Sequence, residues 1–252
     1  EGAALGLFVA GTPAMAQDPI RETVVVTAAA TPVALGSVTR TLTVITREQL
    51  AQLPVRNVAD ALRLVASVDV RARGARGVQT DFALRGADFG QTLVLVDGVR
   101  INDAQTGHHN GDIPVPLDTV ERIEILHGPG SSLFGADAFG GTINVITRRD
   151  ATPPAISLEG GSFGFVAGRG QIDFSSGQVR HKLAAIAERS SGFMVARDFR
   201  TAGISSRSTL GDRTGLLAGY LWKDFGANGF YGPSPSHEWT NQTLLALDHR
   251  FG

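Results

Sequence analysis

The sequence contains no cysteine, two methionines and no excess of charge of either sign, with 23 Lys and Arg against 24 Asp and Glu. Without thiols there is no disulfide framework, no thiolate zinc site and no cysteine nucleophile. Balanced charge gives no electrostatic reason to expect a nucleic-acid partner, whose phosphates are usually met by a basic excess. No apolar run reaches the ~18 residues of a membrane-spanning helix, although β-barrel strands hide their apolar residues in alternation and are not excluded. What the 252 residues have in quantity is glycine, 31 of them, against a usual share of roughly 7%. An apolar content of 42% suffices for a sizeable core and argues against whole-chain disorder.

The two ends are unlike a domain boundary. An apolar stretch from Ala3 to Val9, a break at Pro13 and the small-residue pattern Ala14-Met15-Ala16 before polar Gln17 and Asp18 read as the second half of a signal peptide, residues 1–16. A short buried helix is the bland alternative. At the other end Phe251 and Gly252 follow an alternating apolar run with no cap, so the chain is expected to stop in mid-structure.

Composition changes near residue 150. The chain has 13 Phe, 2 Trp and 2 Tyr, and 12 of these 17 aromatics fall after that point. The segment 150–154 (DATPP) reads as a joint. Before it the pattern is mixed. Val38–Ile45 is rich in β-branched residues, Thr46 with Gln49 forms a capping box for a short helix that Pro54 must end, and Asn57 caps a second helix with Val58, Ala61, Leu62 and Val65 on one face. Short strands are predicted at 68–71, 82–85, 93–96, 99–102, 121–127 and 142–148, the third and fourth joined by Asp97-Gly98, a strong hairpin signal. After the joint the text is strands only. Leu216, Ala218, Tyr220 and Trp222 share a face; Thr243, Leu245 and Leu247 alternate with Gln242, Ala246 and Asp248; Gly170, Ile172 and Phe174 alternate with Arg169, Gln171, Asp173 and Ser175. Such alternation suits either a soluble sandwich or an outer-membrane barrel, and the Tyr and Trp favour the interface girdle of the latter.

The most specific stretch is ERIEILHGPGSSLFGADAFGGTINVITRR, residues 121–149. As a phosphate cradle it lacks both the Walker lysine spacing and the dinucleotide fingerprint. Ser131 and Ser132 lack the G-x-S-x-G elbow and the six His are scattered, so no nucleophile and base pair emerges and no enzyme is expected.

This stretch resembles the plug-domain signature of TonB-dependent outer-membrane receptors. FALRGAD (82–88) is similar to that family's strand ending in Arg-Gly, LVLVDGVRIND (93–103) to its hairpin, and ETVVVTA (22–28) to the Ton box. The resemblance covers most of residues 22–149, and more loosely includes DFGANGFYGPSPS (224–236) as an early extracellular loop. It implies an α+β plug domain at 34–150, preceded by a Ton box segment at 17–33 and followed at 151–252 by the first antiparallel transmembrane strands of an incomplete β-barrel. A barrel of this kind has about 22 strands, and at roughly 10 residues per strand it needs far more chain than follows residue 150.

The resemblance also implies roles. Glu22, Thr23, Val24, Val25, Val26, Thr27 and Ala28 would add as a strand to the sheet edge of TonB, a mode in which main-chain hydrogen bonds supply affinity; the bland reading makes Val24–Val26 another plug strand. Arg85 would pair with barrel-wall carboxylates, and His127 stands where the family usually has arginine before Gly-Pro, giving a weaker or pH-dependent contact. Two polar loops, 71–81 and 101–112, would face the ligand, offering Arg73, Arg76, Gln79, Asn102, Gln105, His108, His109 and Asn110 as donors and acceptors. His108 and His109 with Asp103 and Asp112 also admit a metal reading, but adjacent histidines rarely face one ion and helical i, i+4 spacing is missing. The expectation is a receptor in the outer membrane of a Gram-negative bacterium, in contact with lipid, importing a scarce large ligand of the cobalamin or ferric-siderophore type without a cofactor. The alternatives are a signalling receptor of the same family, disfavoured because no extra domain fits between Gln17 and Glu22, and a secreted soluble β-rich binding module.

Overall fold

The computed structural model describes residues 24–25, 33–34, 41–103, 106–129, 135–211 and 213–250. The expected signal segment, Glu22, Thr23, Val26, Thr27 and Ala28 of the expected Ton box, residues 38–40 of the first predicted strand, Gln105 and residues 130–134 lie outside the described residues.

Local chemistry sets the first elements. β1 (Val24–Val25) pairs antiparallel with β2 (Val33–Ala34). After β3 (Leu42–Thr46), the Thr46 hydroxyl accepts from the Gln49 amide at 3.4 Å and the Gln49 side chain accepts from the Thr46 amide at 2.9 Å. This reciprocal cap starts α1 (Arg47–Gln52), which stops before Pro54 because proline cannot supply the next N–H. The Asn57 side chain accepts from the Asp60 amide at 2.8 Å and starts α2 (Val58–Leu62), burying Val58, Ala59, Ala61 and Leu62. Val65 is not on this helix as expected. The amides of Leu64 and Val65 bond to the carbonyls three residues back, Ala61 and Leu62, which tightens the last turn and ends the α-helix; Val65 still packs against the core.

β4 (Val68–Ala72) and β5 (Thr80–Leu84) form their own antiparallel pair. β6 (Thr92–Val96), β7 (Val99–Arg100), β8 (Val120–His127) and β9 (Gly141–Thr147) join β3 in a five-stranded sheet of order β3-β8-β9-β6-β7. Only the β6–β9 pairing is parallel. The β6–β7 connection is the two-residue turn that Asp97-Gly98 predicts, with φ of 49° and 82°, both positive as a primed turn requires. Phe82, Leu84, Ile123, Ile125 and Ile143 make the core of this unit with Leu62.

From residue 155 the chain is a meander. β10 (Ala155–Gly161), β11 (Phe165–Ser176), β12 (Val179–Ser190), β13 (Phe199–Leu210), β14 (Thr214–Gly226) and β15 (His237–His249) pair consecutively and antiparallel in one open sheet. Alternation decides which side each residue serves. Leu217, Leu244 and Ala246 pack into the core of the first unit, which defines the inner face. Leu216, Tyr220, Leu245 and Leu247 stand exposed on the outer face. Inner-face Gly219 lets the wall meet the first unit's backbone: a Cβ there would lie 2.3 Å from the Pro114 carbonyl oxygen. The α+β unit followed by alternating antiparallel strands is the expected architecture.

Candidate functional site

The reversals at 162–164, 191–198 and 227–236 lie at one end of the strands, opposite the joint at 150–154, and the two polar loops of the first unit meet the strands at this loop end. Arg73 donates to the Phe230 carbonyl, and its guanidinium lies 5.0 Å from the centre of the Tyr231 ring. Buried Gln79 donates to the Tyr231 hydroxyl at 2.5 Å. Arg197 closes the corner, donating to the carbonyls of Asn228 at 2.7 Å and Arg73 at 2.6 Å while covering the Phe230 ring at 4.4 Å.

Arg76 takes the left-handed backbone (φ 56°), stacks 3.9 Å over Phe165 and reaches within 3.7 Å of Glu159. That carboxylate also receives Arg56 at 2.6 Å and Arg169 at 3.2 Å. A cavity of about 70 Å³ lies in the same seam, lined by Arg56, Arg76, Ile113, Arg169, Glu188 and Lys223 among others. His108 Nδ1 is 3.0 Å from Asp81, and its ring stacks on Phe89 at 4.4 Å. His109, with φ of 66°, has Nδ1 3.9 Å from Asp112 and Nε2 4.0 Å from Glu238. Asp112 in turn receives Lys223 at 2.5 Å and the Thr240 hydroxyl at 2.8 Å. The two imidazoles thus turn to different carboxylates, and no group of three or more ligands among the described residues could hold a metal ion.

The expected ligand-facing residues divide. Arg73, Arg76, His108 and His109 are half-buried at the seam, and all engage neighbouring groups. Asn110 is buried and donates to the Phe89 carbonyl at 3.3 Å. Asn102 uses both ends of its amide on β6, accepting from the Val94 amide at 2.7 Å and donating to the Thr92 carbonyl at 2.9 Å. Gln105 lies outside the described residues. Sequence reasoning gave no role to Lys223, Tyr231 or Arg197, which supply the strand side of this seam; only the loop motif 224–236 pointed toward it.

Arg85 and His127 lie close together. Arg85 is exposed with φ of 52° and has no ion pair among the described residues. His127 is buried, with Nε2 2.9 Å from the Thr43 hydroxyl. Burial, and then the positive charge of Arg85, hold its pKa below the ordinary 6.5, so the ring is neutral at pH 7. Other residues carry the ion pairs to the described strands. At the joint end Arg207, buried on β13, bonds Asp97 of the β6–β7 turn, the Thr147 hydroxyl at 2.7 Å and Asp248 at 2.9 Å. Lys182 similarly joins Asp173 at 2.6 Å and the Thr152 hydroxyl at 2.5 Å.

Residues 34–142 match the TonB-dependent receptor plug domain family. This part of the chain is a TonB-dependent receptor plug domain. It is 42% identical over 155 residues to an iron-regulated outer membrane virulence protein of Vibrio cholerae, a match covering 58% of this chain and 23% of that protein. It is 38% identical over 143 residues to the vitamin B12 transporter BtuB of Vibrio vulnificus, covering 56% and 23%. The chain thus spans about a quarter of the length of these relatives. Among solved structures, FpvA of Pseudomonas aeruginosa bound to a heterologous pyoverdine and iron superposes with a TM-score of 0.68 at 19% identity, over 90% of this chain and 34% of that one. The alcaligin outer-membrane receptor FauA of Bordetella pertussis gives 0.65 at 18%, over 90% and 39%. The first unit is thus the plug, and β10–β15 are antiparallel strands of the barrel architecture.

Proposed function

We propose that the protein is an outer-membrane importer that takes a scarce, large ligand of the ferric-siderophore or cobalamin type from outside the cell and delivers it to the periplasm, with energy supplied through TonB. The observation that carries this reading is the joining of the plug loop 71–81 to the strand loop 227–236 through Arg73, Gln79, Phe230 and Tyr231. Such a face offers guanidinium and phenol groups beside aromatic rings, the mixed chemistry that holds a large polar ligand. It is continuous with the plug interior, so ligand bound there can bias how the plug sits. The names of the relatives support the ligand class: one is iron-regulated and another carries vitamin B12.

The work enters ahead of the plug in the chain. Residues 22–28 offer a short β-prone segment ahead of β3, and a partner that adds a strand to it needs only main-chain bonds. No chemical step is required of the plug, and its Asp112 and His109 serve as contacts to the strands. Deleting residues 22–28 is expected to abolish uptake while leaving ligand binding intact; unchanged uptake overturns the coupling role. Titration with cobalamin and with ferric chelates, read by intrinsic fluorescence, is expected to show saturable binding to one of them, weakened about tenfold by Arg73→Ala. Binding to neither overturns the ligand class.

A further inference from the structure

The outer face of β10–β15 has one charged row. Reading outward positions from the strand registers, the described residues carry Asp, Glu, Lys or Arg only at Arg189, Arg200 and Asp224. These three are cross-strand neighbours at the loop end, in the sequence Val166, Arg189, Arg200, Asp224, Trp239. Below the row the outward residues are Ala, Val, Leu, Ile, Phe, Gly, Ser, Thr, Tyr, Trp, Asn and His. From Arg200 to Leu210 is ten residues, and at about 3.3 Å per residue and a tilt of about 40° the uncharged band is roughly 25 Å tall, the height of a barrel's apolar belt. Trp239, 70% exposed, marks the same row as the headgroup level, where tryptophan concentrates.

Arg189 and Arg200 stand directly opposite each other, both exposed, and neither side chain has a hydrogen bond or ion pair among the described residues. Like charges so placed oppose strand pairing. The one carboxylate in the row, Asp224, is bonded to His237. Cross-strand Cβ atoms lie about 5 Å apart, so both guanidiniums can grip one phosphate with charge-assisted bonds. Directly beneath, Ala187 faces Ala202, a shallow floor on which an acyl chain can lie between Gly168 and Trp222.

We propose that Arg189 and Arg200 form a clamp for the phosphate of an anionic lipid headgroup in the outer leaflet. This rests on the outer-membrane reading, and the test separates the two. The full-length protein is placed in phosphatidylcholine nanodiscs doped with bisphosphorylated lipid A or its dephosphorylated form, and retained lipid is measured by native mass spectrometry. The expected result is at least a tenfold preference for the phosphorylated lipid, about 1.4 kcal/mol, lost in the R189Q/R200Q double variant and largely kept in R189K/R200K. A protein that inserts and floats with vesicles but shows no preference, or whose glutamine variant keeps it, overturns the clamp alone. A protein that does not insert overturns the membrane reading and the clamp with it. Inorganic phosphate that displaces the lipid at equal concentration, with the same arginine dependence, assigns the pair to a free anion and overturns the lipid.

Discussion

In the plug, Leu62, Leu84, Ile123 and Ile125 leave the surface entirely. In β10–β15 Leu245 and Leu247 are 72% and 74% exposed, while Lys182, Arg207 and Lys223 are only 4–5% exposed. One chain therefore applies opposite burial rules on either side of residue 150. The plug folds as water-soluble domains do, with apolar area removed from water. The strands turn apolar residues outward and keep charge on the side where the plug supplies partners: Asp112 for Lys223 and Asp97 for Arg207. A buried charge is tolerable only when paired, so Lys223 and Arg207 fix where the plug must sit. What looks like an inverted core is a wall built for two different neighbours.

The most damaging way to break this contrast is to remove an inward cation. Lys223→Ala leaves Asp112 buried without its charge partner and is expected to cost about 3–5 kcal/mol, read as faster hydrogen exchange across residues 101–112 in the full-length protein. A second experiment makes the same substitution on both sides. Leu62→Ala in the plug is expected to cost about 2–5 kcal/mol, whereas outward Leu245→Ala in detergent is expected to stay within about 0.5 kcal/mol, both from urea midpoints. Equal losses would erase the distinction between the regions. The smallest effect concerns pH. The folded plug holds His127 below the ordinary 6.5, so the unfolded chain binds the proton first as pH falls. Plug stability is therefore complete above that value and declines as pH drops from it toward the folded pKa. His127→Gln is expected to flatten this slope between pH 7 and 5.

Elements governed by neighbouring residues were legible in the sequence. The Thr46–Gln49 box, the Asn57 cap and the Asp97-Gly98 turn each depend on atoms within three or four positions, and the period-two pattern after residue 155 sorted residues of the later strands onto two faces. Pairings across the fold were not. Lys223 meets Asp112 and Arg207 meets Asp97 across more than a hundred residues, and no local pattern encodes that register. Polar loops also read alike whether they face a ligand or the interior: Asn102 and Asn110 look like ligand contacts in sequence, yet one holds β6 and the other is buried. Val65 shows the same limit at small scale, since a helical spacing does not reveal where the last turn tightens.

The place of β3 in the sheet has a mechanical consequence. Among the described residues it is an edge strand, paired with β8 alone, and it is the first strand of the five-stranded sheet met from the amino terminus. A tug arriving from that side, once past the β1–β2 pair, loads this strand before any other of the sheet. Having a single neighbour, β3 can detach from Leu42 onward while β8, β9 and β6 stay joined. The plug can therefore yield in graded steps from its margin, with its interior the last part to give way.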